Sequence, residues 1–239
     1  MERLIAIGDI HGHAALLERL LEDIEPSPAD QLVFLGDYVD RGPAAPQVLD
    51  RLIALAEEFP HSIFLRGNHE QMLLDARDEA TRLEHRPAVF NGMLSRLFQD
   101  QPLEIHNFLA NGGWTTVKSY GRPLQLSDPT QILRQVPQEH IDFLQRTPLY
   151  YQHDSYFFVH AGIDPYHALD HAAGRQALLW LRSPVWLQDP DWNLTVVHGH
   201  TPVAEPAFRE LEVCLDTGAG HQGCLSACDL HSRRIWQAC

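Results

Sequence analysis

Only one of the 18 basic residues, Lys118, is a lysine; the other 17 are arginines. Covalent chemistry through a lysine amine therefore has one candidate and no supporting surroundings. Basic residues are also outnumbered, 18 against 32 acidic ones, which gives a formal charge of −14 with histidine neutral and argues against a nucleic-acid-binding surface. No apolar run reaches the roughly 20 residues of a membrane span, and Met1-Glu2-Arg3 leads straight into Leu4-Ile5-Ala6-Ile7 without a signal-peptide profile. The expectation is a soluble cytoplasmic protein with no membrane partner. Cysteine is sparse too: Cys214, Cys224, Cys228 and Cys239 contain no Cys-x-x-Cys pair, which argues against a zinc ribbon and reads as free thiols.

Histidine is unusually frequent, with 15 in 239 positions. It is the commonest metal ligand and the side chain best suited to proton transfer near neutral pH, so an acidic, histidine-rich chain points to bound cations. Hydrophobic residues make up 44% of the chain, enough to build the core of one large domain.

Short, almost continuously apolar runs end abruptly in polar motifs. Leu4–Ile7 runs into Gly8-Asp9-Ile10-His11-Gly12, and Gln31–Leu35 into Gly36-Asp37-Tyr38-Val39-Asp40-Arg41-Gly42. Ser62–Leu65 leads to Arg66-Gly67-Asn68-His69-Glu70, Tyr156–Val159 to His160-Ala161-Gly162, and Leu194–Val197 to His198-Gly199-His200-Thr201. Such runs are strands buried on both faces. Helical patterns over 14–24 and 46–59 separate the first three, so the order is β-α-β-α-β and the fold class is α/β with a largely parallel sheet. Ligands of such sheets bind at the strands' carboxyl ends, where the five motifs converge.

Residues 71–150 read as a mainly helical insertion within a single domain spanning 1–239. Helices are predicted over 71–85 and 137–146, the stretch 87–109 is mixed but mainly helical, and Asn111-Gly112-Gly113-Trp114 breaks the pattern. Past Thr201, the runs 212–215, 223–229 and 234–237 predict strands of a second sheet stacked on the first.

The strand-end residues Asp9, His11, Asp37, Asn68, His160 and His200 supply two carboxylates, three imidazoles and an amide oxygen. This mixed set suits two first-row divalent ions if one carboxylate bridges them. Two ions roughly 3.5 to 4 Å apart clamp the attacking and leaving oxygens of an in-line displacement, which is chemistry for phosphate esters. His69 can donate a proton to the leaving group, Asp40 can orient it, and Arg41 offers a fork for phosphate oxygens.

Together these motifs, in order and spacing along residues 5–218, resemble the signature of the metal-dependent serine/threonine phosphoprotein phosphatases, within the calcineurin-like metallophosphoesterases. The resemblance implies two stacked mixed β-sheets flanked by helices, with the active site at strand carboxyl ends. It implies a dinuclear site, most often manganese with iron or zinc as alternatives, and direct attack by a bridging hydroxide. Asp37 would bridge the ions, Asp9, His11, Asn68, His160 and His200 would complete their shells, and the Asp40-His69 pair would be the acid catalyst. Arg182, in Leu178-Leu179-Trp180-Leu181-Arg182, matches a second phosphate-binding arginine beside Arg41 and Asn68. Bacterial members include protein phosphatases and the similar symmetrical diadenosine tetraphosphatases, so a phosphorylated protein or small phosphoester is the leading substrate and a dinucleotide the alternative. Ser-Ala-Pro-Asn-Tyr, the eukaryotic substrate-loop pattern, is absent, and no eukaryotic-type regulatory subunit is expected.

Of the residues outside this set, Arg66 reads as a group behind the site or in a salt bridge, not a substrate ligand, and Glu70 as a group behind the site or at a helix N-terminus. The other eleven histidines read as surface or loop residues, His198 being the one weighed for a role behind the site, and Trp114 reads as a packed anchor. A metal-binding scaffold without catalysis predicts erosion at Asp40, Arg41 or His69, and none is eroded.

Overall fold

The computed structural model describes residues 3–84, 102–121 and 128–239. The chain opens with β1 (Leu4–Ile7), α1 (Ala14–Ile24), β2 (Gln31–Phe34), α2 (Ala45–Glu58) and β3 (Ile63–Phe64). The apolar spacing explains both helices: α1 buries Leu17, Leu20, Leu21 and Ile24 on one face, and α2 buries Val48, Leu49, Leu52 and Leu55 behind a proline in its first turn. The chain then enters α3 (Asn68–Glu84). Most of the stretch predicted as mixed, 87–101, lies outside the described residues, as does the end of the helix predicted over 71–85.

The description resumes at α4 (Leu103–Phe108), a wide turn over Leu109–Gly113 and α5 (Trp114–Tyr120), followed by α6 (Pro129–Arg134) and α7 (Gln138–Arg146). The break expected at Asn111-Gly112 is a kink: Asn111 leaves helical geometry and Gly112 adopts φ +106°. β4 (Tyr150–His153), β5 (Tyr156–Val159), α8 (Ala172–Trp180), β6 (Thr195–His198), β7 (Ala207–Arg209), β8 (Glu212–Cys214), β9 (Leu225–Asp229) and β10 (Arg234–Ala238) complete the chain. Among the described residues, no helix is long and apolar enough to cross a membrane.

Among the described residues, ten strands form two five-stranded sheets, ordered β10-β9-β1-β2-β3 and β4-β5-β6-β8-β7. β1, β2 and β3 run parallel, as do β5, β6 and β8. The C-terminal strands thus do not form a second sheet of their own. β8 joins β6, whereas β9 returns antiparallel to β1, pairing Ala6 with Cys228, and carries β10 with it. Period-2 alternation explains the apolar runs: Leu4 and Ala6 point between the sheets toward Phe158, Val197 and Val213, while Ile5 and Ile7 point outward under the helices.

The free-thiol expectation holds for the buried Cys214 and Cys228 but not for the other two, because Cys224 and Cys239 are disulfide-bonded. The register explains the pair. Leu225 faces Ala238, so the residues just beyond them, Cys224 and Cys239, meet across the end of the β9–β10 ladder.

Candidate functional site

The parallel strands of both sheets deliver their carboxyl ends to one edge. Asp9 follows β1, Asp37 follows β2, Asn68 and His69 follow β3 at the start of α3, His160 follows β5 and His200 follows β6. The tight turns there require backbone that L-residues rarely adopt. His11, Asp37, Asp40, Arg41 and His200 all have φ between 47° and 69°, a conformation costing about 1 to 2 kcal/mol each.

Local hydrogen bonds hold these turns in place. Ile10 N and His11 N both donate to Asp37 O at 3.0 and 2.8 Å, and Gly42 N donates to His11 O at 2.9 Å. Glu70, fully buried, accepts from the backbone N–H groups of Asp37, Tyr38, Val39 and Gly67 at 2.8, 2.7, 3.2 and 2.9 Å. Its predicted place as a support at a helix N-terminus therefore takes a specific form, since one carboxylate fixes the loop carrying Asp37. Burial and then Asp37 push the Glu70 carboxyl up to about 7. Gly67 and Gly199 are glycine because a Cβ would run into a carboxylate, that of Asp37 and that of Asp9 respectively.

Asp37 is the centre of the constellation. Among the described residues, two groups have donor atoms close enough to hold an ion, His11-Asp37-His69 and Asp37-His160-His200, with Asp37 common to both. The His11 Nδ1–H donates to Val39 O at 3.0 Å and that of His160 to Leu35 O at 2.9 Å, leaving both Nε2 lone pairs turned inward. His160 Nε2 lies 2.9 Å from Asn68 Oδ1 and 3.3 Å from Asp37 Oδ1, and His11 Nε2 lies 3.4 Å from Asp37 Oδ2. His200 Nε2 is buried with no hydrogen-bond partner among the described residues. The His160 and His200 lone pairs converge on Asp37 with no hydrogen on them, and that of His11 is met by Arg41 Nη1; together the set fits divalent cations of the kind N/O donors prefer. Burial also holds His11 and His160 below the ordinary histidine value and, helped by His160, pulls His200 down to about 3, so these rings remain neutral donors. Asp37 runs the other way: burial would raise it, but attraction to the charged forms of His160, His69, His11 and His200 outweighs burial and holds it below the usual carboxylate range.

Asp9 sits beside this centre, accepting from His200 N at 3.1 Å, and burial followed by Asp216 and Asp37 raises its pKa well above the usual range. His69 behaves unlike the other rings. Its burial lowers the pKa, but Asp37 and the hydrogen bond to Asp40 more than offset that, so it holds its proton to higher pH than an ordinary histidine. Arg41 spans the two rings, with Nη1 at 2.7 Å from His11 Nε2 and Nη2 at 3.2 Å from His69 Nε2. Arg182 is exposed beside His200, donating to its carbonyl at 3.3 Å.

Every strand-end residue singled out in the sequence is therefore at this edge, together with Asp216, whose segment Leu215–Ala219 resembles that of bacterial relatives but announces no role, and Thr116, which the sequence did not reveal. Asp216, after β8, is buried near Asp9, accepts from Gly218 N at 2.9 Å, and is pushed up to about 6 by burial and then Asp37. Thr116, 76 positions from Asp40, bonds to it, a contact that no motif spacing could announce. Arg66 lies aside and, instead of the salt bridge expected, ties among the described residues to neutral oxygens, Gln71 Oε1 and, at the end of α7, Leu144 O, Gln145 O and Thr147 Oγ1. His198 packs on Trp186 and contacts Glu212 behind His200. Two readings are corrected. Trp114 is 43% exposed, not packed, because it faces away from the buried Thr116 and Val117 of its helix. His140 is not a surface histidine but is buried between Tyr120 and Asp50.

The calcineurin-like phosphoesterase family model matches residues 2–211. A symmetrical bis(5'-nucleosyl)-tetraphosphatase from Methylococcus capsulatus is 29% identical over 163 residues, 68% of this chain and 44% of that protein. The serine/threonine-protein phosphatase rdgC of Drosophila melanogaster is 41% identical over 78 residues, 32% of this chain and 12% of that protein. The matched stretches thus span less than half the length of these curated relatives. A crystal structure of a candidate diadenosine tetraphosphatase superposes with TM-score 0.65 at 20% identity, covering 99% of this chain and 92% of that one. A Saccharomyces cerevisiae protein serine/threonine phosphatase gives 0.63 at 14% identity, covering 99% and 79%. At these identities the structural likeness speaks for the fold alone. With the motifs, the two mixed sheets and a family model spanning most of its length, the chain belongs to the calcineurin-like phosphoesterase family, whose members are metal-dependent hydrolases.

Proposed function

We propose that this protein is a dinuclear phosphomonoesterase whose leading substrate is phosphoserine or phosphothreonine in a protein. Asp9, His11, Asp37, Asn68, His160 and His200 would hold two divalent ions, manganese foremost with iron or zinc as alternatives, Asp37 being shared. Two such ions supply a water acidified toward neutrality and positive charge for the phosphate oxygens. Arg41 and Arg182 grip the remaining phosphate oxygens, and Asn68 contributes a polar contact beside them. His69 carries a proton at Nε2 toward the departing oxygen while Asp40 fixes its Nδ1 and stabilises the charged ring.

One observation carries the choice of substrate class: the buried Asp40-His69 pair set against the Asp37 cluster. A serine or threonine alkoxide is a strong base and leaves well only if protonated. The nucleotide leaving group of a phosphoanhydride is a far weaker base and needs no such donor. Symmetrical cleavage of a dinucleoside tetraphosphate is the second reading, favoured by the longer alignment with the Methylococcus relative. A side-by-side assay with manganese separates them, using a phosphoserine peptide, diadenosine tetraphosphate and an aryl phosphate. The proposal expects kcat/KM highest for the peptide; a clear preference for the dinucleotide would replace it with the second reading. Residues 1–239 act in this proposal as one domain.

A further inference from the structure

The geometry points to Thr116, on the helical insertion, as the positioning residue that aims Asp40 at His69. Asp40 is fully buried at φ 69°, a backbone conformation that does not orient an aspartate by itself. Its surroundings do so. Asp40 N donates to Thr116 Oγ1 at 2.9 Å, and the same hydroxyl donates to Asp40 Oδ1 at 2.6 Å. The hydroxyl's one hydrogen is thereby committed, Oδ1 is occupied, and Oδ2 is left to accept from His69 Nδ1 at 2.6 Å. Thr116 is itself fully buried, so water does not compete for either bond.

The same short segment grips the neighbouring residue. Arg41 N points to Gly112 O at 3.4 Å, and Gly112, at φ +106°, lies against the Arg41 side chain so closely that a Cβ would crowd its Cγ. Gly113 packs on the Phe108 ring, which fixes where α5 starts and hence where Thr116 falls. Two consecutive left-handed residues, Asp40 and Arg41, are thus held from outside by the Gly112–Thr116 turn. The insertion is in this respect part of the proton-delivery apparatus as well as a covering for the sheet.

This inference rests on the reading of His69 as proton donor, and its test separates the two. Thr116→Val removes the hydroxyl at nearly constant shape, Thr116→Ser restores it, and His69→Asn serves as reference. Each is assayed on a phosphoserine peptide, whose leaving group needs a proton, and on p-nitrophenyl phosphate, whose leaving group does not. Thr116→Val is expected to lose about 10- to 100-fold in kcat on the peptide, part of the 10² to 10⁴ typical of general acid catalysis, and at least tenfold less on the aryl ester. The serine variant should recover the peptide rate to within about threefold, with bound metal unchanged throughout. If His69→Asn discriminates between the substrates but Thr116→Val loses equally on both, or on neither, the positioning role is overturned while the acid reading stands. If His69→Asn does not discriminate, the acid reading fails and takes the inference with it. Should the valine variant fail to fold, Thr116→Ala, which leaves room for a water at Asp40 N, carries the same expectation and the same contrary results.

Discussion

His69 Nδ1 lies 2.6 Å from Asp40 Oδ2, and neither side chain is more than 2% exposed. A buried carboxylate at this distance locks one tautomer: Nδ1 carries hydrogen toward Asp40, and Nε2 is the position from which a proton can be delivered. His69→Asn should therefore lower kcat on alkyl phosphomonoesters by about two to four orders of magnitude while metal content survives. Retained turnover on a phosphoserine substrate would remove His69 from the role. The acid must be protonated to act, and its pKa lies above the ordinary histidine value because Asp37 and Asp40 outweigh burial. The alkaline limb of the rate profile should accordingly sit past that value and move to lower pH in Asp40→Asn; an unmoved limb speaks against Asp40 as the supporting group.

The proposed phosphate contacts fall to two arginines, Arg41 and Arg182, in unequal surroundings. Arg41 lies between His11 and His69, whereas Arg182 is exposed beside His200. A charged hydrogen bond contributes about 1.5 to 3 kcal/mol, so each alanine variant should lose roughly 10- to 150-fold in kcat/KM. For Arg182→Ala the loss should appear mainly as a raised KM, and for Arg41→Ala in kcat as well. An unchanged KM for substrate together with an unchanged Ki for inorganic phosphate in Arg182→Ala would exclude that residue from phosphate binding.

Far from the site, Asp30 joins β2's start to the chain's beginning. Its carboxylate, 3% exposed as a residue, accepts from Arg3 N and Nε and from Ser27 N and Oγ at 3.1, 3.0, 2.7 and 3.0 Å. Burial alone would raise its pKa, but the bonds from Arg3 and Ser27 outweigh it and hold the folded value below the unfolded one. The sign follows: this stabilisation is fully present above the unfolded value of about 3.9 and is lost as pH falls through the lower folded value. Asp30→Asn should cost about 1.5 to 3 kcal/mol at pH 7, and its deficit against the parent in denaturant melts should shrink below about pH 4. A deficit that stays constant to pH 2 contradicts the assignment.

The Cys224–Cys239 bond closes a separation of 15 residues around β9 and β10. Thiol titration of the unfolded, unreduced chain should therefore find two reactive cysteines, Cys214 and Cys228, and four after reduction. By the chain-entropy argument, a loop of this size adds about 3 kcal/mol, so Cys224→Ser should lower stability by that order. Four thiols without reductant would rule the bond out.

Legibility in the sequence followed distance along the chain. Asp9, Asp37, Asn68, His160 and His200 could be read because each stands one to four residues past an apolar strand, so local pattern and chemistry coincide. The shared edge followed from parallel strands. What was not legible depends on register between distant segments. β9 pairs with β1 across more than 200 positions, and the C-terminal strands therefore split between two sheets instead of stacking as one. Cys224 meets Cys239 only because Leu225 faces Ala238. Thr116 reaches Asp40 from a helix whose start is set by a kink at Gly112, and Trp114, two positions earlier, consequently points outward. Glu70 was readable as a support at a helix start, but not as the acceptor of four backbone N–H groups.

The Asp37-centred geometry is tested most directly by stripping the protein with a chelator and titrating divalent manganese while following bound metal and phosphoserine-peptide hydrolysis together. Parent protein should bind two ions per chain, with activity rising from near zero and saturating at that ratio, and Asp37→Ala should retain neither the ions nor the rate. Full hydrolysis by the stripped protein, or two ions still tightly held by Asp37→Ala, would contradict a dinuclear centre bridged by this carboxylate.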